Sequence, residues 1–484
     1  MAESEKLPAY CRVRGVIQPA IHFELRMPLE GWNDKLYMAG CGGLCGRLEA
    51  DEPTHSNGIN VALQQSYAAV ATDAGHRGAH EADGAWALDS RDAERDWAWR
   101  AIPEVVRVSQ ALVGRYYDRP PTRSYFSGCS NGGRMGALAA QRLPELFDGV
   151  IVGCPALDWA TLAMHGAWLV QANTDADGAP IVDTAAARLV ANAVLSLCDG
   201  ADGLEDGQID DPRRCNFDPA ILRCAATGED GGCLTDTQIE TLHSWYGGLP
   251  GGSDRGWSYA LPFGSEPYWS FWWIPSGSWW SPWNRWPGAG LVYLENLFGY
   301  VLFEEDPGPD YSIQDFDLAT DPPALEFMRE LYRADDPDLS RFRADGGKAI
   351  LYQGWSDPAA VPGAILAYYD EVRSQAGGQD EIDEFLRLFM IPGSGHCFEP
   401  PNESTEWFDP LSALDEWVER GTAPDRLVAE RHDPAGRTTR TRPLCPYPKA
   451  ARYRGSGSVD DAGSFDCVFL EDDDIERAAR RPRP

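Results

Sequence analysis

Apolar positions in the first third of the chain follow two alternating rhythms. Short unbroken runs, "KLYMAG" (35–40), "SYAAVATD" (66–73), "RSYFSGC" (123–129) and "DGVIVGCPA" (148–156), have the length of strands buried on both faces. Between them lie stretches of helical length and period, "AERDWAWRAIPEVVRVSQALVGRYY" (93–117) and "GGRMGALAAQRLP" (132–144), the second stopping at Pro144. Strand, helix and strand repeated in this way predict a parallel sheet covered by helices on both sides.

From about 160 to 345 the rhythm is lost. This segment holds an acidic Asp/Gly loop, two close cysteine pairs and a Pro/Gly-constrained stretch, 257–286, with eight of the chain's eighteen tryptophans. The rhythm then returns with a strand in "GGKAILYQG" (346–354), a helix in "PGAILAYYDEV" (362–372), a strand in "FLRLFMIPG" (385–393) and a helix in "DPLSALDEWVERG" (409–421). The expected layout is one α/β domain, residues 1–160 and 345–484, interrupted by a lid at 161–344. The tail from about 437 is Arg/Pro-rich, and its last residues are expected to be mobile.

Composition narrows the functional classes. The formal net charge is −33 with only four lysines, which argues against nucleic acid as a partner because binding a polyanion leans on cationic side chains. No apolar run reaches the eighteen residues needed to span a membrane, and "MAESEKLPAYC" has no leader pattern. Twelve cysteines, with no C-x-x-C pair and no zinc spacing, favour disulfides and an oxidising compartment. Cys198/Cys215, Cys224/Cys233 and Cys445/Cys467 would close small loops.

The stretch "GCSNG" places Ser130 in a G-x-S-x-G frame between a predicted strand and a predicted helix, the context of an α/β-hydrolase nucleophile. That chemistry needs an acid and then a histidine further along the chain. Asp357 in "GWSDP" and His396 in "GSGHC" each follow one of the two late strands, in that order. Asp357 would orient the imidazole, and His396 would move the Ser130 proton. The expected oxyanion donors are the N–H of Asn131, after the nucleophile, and one from "GCGGLCG", where Gly42, Gly43 and Leu44 are available and Gly43 is preferred. Cys129 precedes the nucleophile and Cys397 follows the histidine, so a working triad would bring them together for a disulfide that holds both loops. His76 and Arg77, polar residues near the same sheet edge, read as structural.

With "GCSNGGR", "YQGWSDP", "IPGSGHC", "LEGWND" and "ATDAGH" in hand, the chain resembles the tannase and feruloyl esterase family, which includes terephthalate monoester hydrolases. The resemblance implies an α/β-hydrolase core with a large inserted lid, secretion or periplasmic export, and hydrolysis of small aromatic esters. It also implies Ca²⁺ in the lid. "CDGADGLEDGQIDDPRRC" is similar to the family's loop, with ligands expected from Asp199, Asp202 and Asp206 and from the carbonyls of Leu204 and Gln208. No organic cofactor is indicated. Hydroxycinnamate esters are the first expectation, gallate and terephthalate esters the alternatives. A polyphenol- or carbohydrate-binding protein on the same fold is the non-enzymatic alternative.

The Trp-rich segment would supply an apolar slot for the ring, although most of its tryptophans are expected to pack the lid's own core. Arg285 could pair with a substrate carboxylate, with Trp279 and Trp283 beside it. Pairing Cys11 with Cys45 would leave Cys41 and Cys154, both at strand ends near the site, for a further bridge. The sequence leaves that connectivity and the oligomeric state open.

Overall fold

The computed structural model describes residues 7–48, 50–51, 57–225, 232–252, 256, 258–274, 288–398, 406–433 and 435–469. Its centre is an eight-stranded sheet built from β1 (Tyr10–Ile17), β2 (Ile21–Pro28), β3 (Lys35–Ala39), β4 (Ala68–Thr72), β5 (Arg123–Cys129), β6 (Gly149–Gly153), β7 (Lys348–Gly354) and β8 (Leu386–Ile391). The spatial order is β1-β2-β4-β3-β5-β6-β7-β8. β1, β2 and β4 pair antiparallel, and the pairs from β4 to β8 are parallel.

The central strands read as continuous apolar runs because successive side chains enter two different cores. Phe126, Val150, Val152 and Leu351 pack on one face with Ile102, Val105, Val106, Met135 and Leu138. Tyr125, Ile151, Ile350 and Tyr352 pack on the other with Leu411, Leu414 and Trp417. The first face is covered by the helices Ala101–Tyr117 and Asn131–Arg142, the second by Pro410–Arg420. β1, at the edge, shows a half-exposed alternation instead.

Three differences from expectation concern local structure. The long helix expected over 93–117 is broken by a π-helical turn, Asp96–Arg100, just ahead of Pro103, whose missing N–H removes a rung from the α ladder. The antiparallel β1–β2 hairpin precedes the parallel sheet and extends its edge. The region after the last large helix is β-structured: Leu427–His432 and Thr438–Leu444 form a sheet with Glu406–Trp407, and Lys449–Tyr453 pairs with Phe465–Phe469. The expectation for the final residues, 470–484, lies outside the described residues.

Between β6 and β7 the described chain is helical, with Trp159–Ala172, Thr184–Cys198, Asp236–Gly247 and Ala289–Tyr300 as its longer members. Disulfides Cys198–Cys215 and Cys224–Cys233 brace it, and Cys445–Cys467 braces the C-terminal strands. Among the described residues no helix is long and apolar enough to cross a membrane.

Candidate active site

β5 ends at Cys129, the helix Asn131–Arg142 begins at once, and Ser130 alone makes the turn between them. Its backbone has φ 60° and ψ −122°, a conformation that a side chain occupies only at a cost in strain. Neighbouring strands hold it there: Ser130 N–H donates to Gly153 O at 3.0 Å, and Ser130 O accepts from Ala156 N–H at 3.2 Å. The glycines are needed for close approach. A Cβ on Gly128 would lie 2.5 Å from the Gly132 backbone, and one on Gly132 would lie 2.2 Å from Asn57 Oδ1.

His396 Nδ1 lies 2.8 Å from Asp357 Oδ2, and both side chains are buried. Asp357 is fixed in turn by the N–H groups of Ala359 (2.8 Å) and Ala360 (2.9 Å) on Oδ1, and by Gln353 Nε2 (3.0 Å) on Oδ2. These contacts fix the carboxylate's orientation toward the imidazole. Trp272 meets the His396 ring edge to face, with centroids 5.2 Å apart.

Ser130 and His396 open onto one cavity of about 180 Å³. Gly42, Gly43, Trp159, Phe271, Trp272 and Tyr293 contribute to its wall. Leu44 is removed from the oxyanion candidates because its N–H donates to Glu81 O at 2.7 Å. Gly43 has φ +53°, and a Cβ there would lie 2.5 Å from Tyr293 Oη, so only glycine fits. Asn131 is buried, and its side chain faces away from the chemistry: Nδ2 donates to Cys41 O at 3.2 Å, and Oδ1 accepts from Arg134 Nε at 2.7 Å. That leaves Asn131 only its backbone N–H to offer the site.

Sequence reasoning missed four supporting residues. Arg134, within "GCSNGGR", is buried and donates to the carbonyls of Ala98 (2.9 Å), Tyr332 (3.1 Å) and Trp97 (3.0 Å); burial lowers its pKa to about 9. Asn57 accepts from Cys129 N–H at 3.2 Å and also lines the cavity. Gln353 holds Asp357, and Trp272 holds the imidazole face. Arg134 and Gln353 stand inside quoted motifs; Asn57 carries no sequence signal. His76, read as structural, stacks on Trp86 at 3.7 Å with Nε2 2.7 Å from Leu44 O, and burial lowers its pKa to about 4.

Cys129 and Cys397 are bonded, with Cα atoms 5.9 Å apart. The other bridge near the site is Cys41–Cys45, Cα–Cα 5.4 Å, which replaces the pairings of Cys11 with Cys45 and Cys41 with Cys154. Three residues of tight Gly-rich turn bring Cys41 and Cys45 within bonding range, whereas Cys11 lies in β1, three strands from β3 in the sheet. Cys11 and Cys154 carry no disulfide. Trp279, Trp283 and Arg285 lie outside the described residues. Of the segment's described tryptophans, Trp269 packs against Trp245 within the insertion, while Trp272 and Trp273 reach the cavity.

In the acidic loop, Asp199 Oδ1 accepts the N–H groups of Asp206 (3.0 Å), Gly207 (3.1 Å) and Gln208 (3.2 Å), closing the turn on itself. Asp202 Oδ1 accepts from Leu204 N–H at 2.9 Å. Asp206 Oδ2 takes Arg440 (2.7 Å) and Arg442 (2.6 Å), but its Oδ1 is buried without a hydrogen-bond partner. Desolvation, followed by the nearby Asp202 carboxylate, raises the Asp210 pKa well above the usual carboxylate range. Among the described residues no three of these carboxylates converge within 4.8 Å. An orphaned oxygen and crowded carboxylates are what a hard cation relieves; the expected ligands Asp202 and Asp206 stand in this crowd with Asp210, and the expected ligand Asp199 also closes the loop.

Comparison with known proteins bears on the family. The chain is 35% identical to an uncharacterised esterase of Xanthomonas campestris pv. campestris over 96% of its length and 85% of that protein. It is 33% identical to the mono(2-hydroxyethyl) terephthalate hydrolase of Piscinibacter sakaiensis, covering 96% and 86% of the two chains. Feruloyl esterase B from Aspergillus oryzae superposes with a TM-score of 0.81 at 27% identity, covering 95% of this chain and 91% of that one. The family model described as tannase and feruloyl esterase matches residues 6–468. With a mostly parallel sheet of the α/β-hydrolase type beneath it, the chain belongs to the tannase and feruloyl esterase family and is a carboxylic ester hydrolase.

Proposed function

We propose that this enzyme hydrolyses esters of small aromatic carboxylic acids, hydroxycinnamates first among them, through Ser130, His396 and Asp357. The observation that carries the reading is the shared cavity. Ser130 and His396 both open onto it, and its described wall is mostly apolar and aromatic. Ser130 Oγ attacks the ester carbonyl while His396 takes its proton; Asp357 holds the ring and stabilises its charged form. The N–H groups of Asn131 and Gly43 receive the developing oxyanion. The alcohol leaves with the proton from His396, and water then cleaves the acyl-enzyme by the same route reversed.

Among the described residues no arginine or lysine lines the cavity, and Glu81 does. Gallate esters and terephthalate monoesters are the alternatives on the same apolar wall; Arg285, the expected partner for a substrate carboxylate, lies outside the described residues. Relatives include feruloyl esterases and a terephthalate monoester hydrolase, which support the class without choosing within it.

Calcium would be held in the lid by Asp202, Asp206 and Asp210 with the carbonyls of Leu204 and Gln208, where it supplies structural charge compensation and no chemistry. Five disulfides among the described residues support an oxidising destination, secreted or periplasmic. The decisive assay compares methyl ferulate, methyl gallate and mono(2-hydroxyethyl) terephthalate, each with a Ser130→Ala control. Preference for ferulate, lost in the variant, supports the reading; turnover of none of the three overturns it.

A further inference from the structure

Cys154 sits immediately after β6, at φ +36°, with its side chain 1% exposed. It is outside the disulfide set and has no place in the proposed acyl transfer. Its Sγ, a carboxylate oxygen of Asp357 and a ring nitrogen of His396 all lie within 4.8 Å of one another, and all three residues are buried. The thiolate and imidazole are soft and borderline donors that favour zinc and its neighbours over calcium or magnesium, and a carboxylate oxygen is a common third zinc ligand.

We propose that Cys154, His396 and Asp357 form an inhibitory site for a thiophilic divalent cation such as Zn²⁺. Bond lengths of about 2.0–2.3 Å around a tetrahedral zinc put its ligand atoms roughly 3.3–3.8 Å apart, so the metal would draw the sulfur in and open the 2.8 Å His396–Asp357 hydrogen bond by a few tenths of an ångström. Three protein ligands leave the fourth position for water, and His396 gives access because it lines the substrate cavity. Binding involves no electron transfer. The thiol proton passes to solvent as sulfur takes the metal, and any proton on the ligating nitrogen is displaced likewise. The metal then occupies the two groups that the Ser130 mechanism needs for proton movement. Loss of turnover rests on that mechanistic reading; metal binding itself does not.

The test uses calcium-replete enzyme with Zn²⁺ for inhibition and Co²⁺ for spectroscopy. Wild type should lose turnover reversibly, with recovery on adding a chelator followed by excess Ca²⁺, and excess Mg²⁺ should not inhibit. Cys154→Ala, and Cys154→Ser as a size-conserving second variant, should each need at least about tenfold more Zn²⁺ for half-inhibition, measured against their own metal-free rates. Co²⁺ should give a near-ultraviolet sulfur-to-metal charge-transfer band in wild type and in Ser130→Ala, and none in either Cys154 variant. The Ser130→Ala result keeps the metal site separate from the catalytic reading, since the band needs no activity. The Cys154 sulfur also lies within 4.8 Å of both sulfurs of the Cys129–Cys397 bridge, so thiol count and disulfide map are taken before and after metal. Equal zinc sensitivity in wild type and both variants, a band that survives loss of Cys154, or inhibition accompanied by a changed disulfide map would overturn the proposal.

Discussion

Cys129 and Cys397 are joined across 268 residues of sequence, and they are the immediate neighbours of Ser130 and His396. The bond therefore ties the Ser130 turn to the His396 loop, at the point where the proposed proton transfer depends on their separation. Cys129 is 0% exposed, while Cys397 lies at φ +50° beside the cavity.

Replacing both cysteines by alanine should lower kcat by at least about tenfold, because small displacements of reacting groups are costly. It should also reduce stability by about 2–5 kcal/mol, the usual loss for a native bridge. Steady-state kinetics and denaturant unfolding on the double variant check both parts. Unchanged kcat with the bond shown to be absent would remove the positioning role.

Asp357→Asn should leave the fold intact and lower kcat roughly 10⁴-fold, since an amide no longer selects the required tautomer of His396. Gln353→Leu should cost less, because the N–H groups of Ala359 and Ala360 still hold Oδ1. Pre-steady-state acylation measured on the same ester separates the two.

Removing calcium should lower the melting temperature by a few degrees, with recovery on adding Ca²⁺ but not Mg²⁺. Asp202→Asn should mimic chelation. A melting temperature indifferent to EDTA would dismiss a structural cation from the loop.

The buried His76 predicts acid sensitivity of the fold. Its pKa falls from 6.5 to about 4 on folding, so between those values the unfolded chain binds a proton that the folded chain refuses. Its stability contribution is whole above pH 6.5 and is lost as pH falls towards 4, on the order of 3 kcal/mol in all. Glu266, raised to about 7 by burial, acts with the opposite sign as pH rises from 4.5 to 7. The measurement is therefore the difference in unfolding free energy between wild type and His76→Gln across pH 4–7. A pH-independent difference would show that His76 does not carry the effect.

Much of the sheet was legible because β3 to β8 are buried on both faces and are therefore largely apolar. "RSYFSGC" coincides with β5, Arg123–Cys129, to the residue. The elbow was legible because Ser130 needs glycines on both sides at the end of such a strand, and the histidine loop because Cys397 answers Cys129. The C-terminal strands escaped notice: Arg440 and Arg442 look like tail residues until Asp206 of the distant acidic loop is seen to receive both.

Local pattern alone determined β3 to β8, the elbow and the chain order of Ser130, Asp357 and His396, since each is written in a contiguous stretch with its own steric demand. Tertiary structure decided what depends on residues far apart in sequence. It chose Cys41–Cys45 over Cys11–Cys45, brought Asn57 to the backbone of Cys129, and set the Cys154 thiol beside Asp357 and His396. Periodicity reports which face of a strand is buried. Only the crossing of distant segments reports what lies against it.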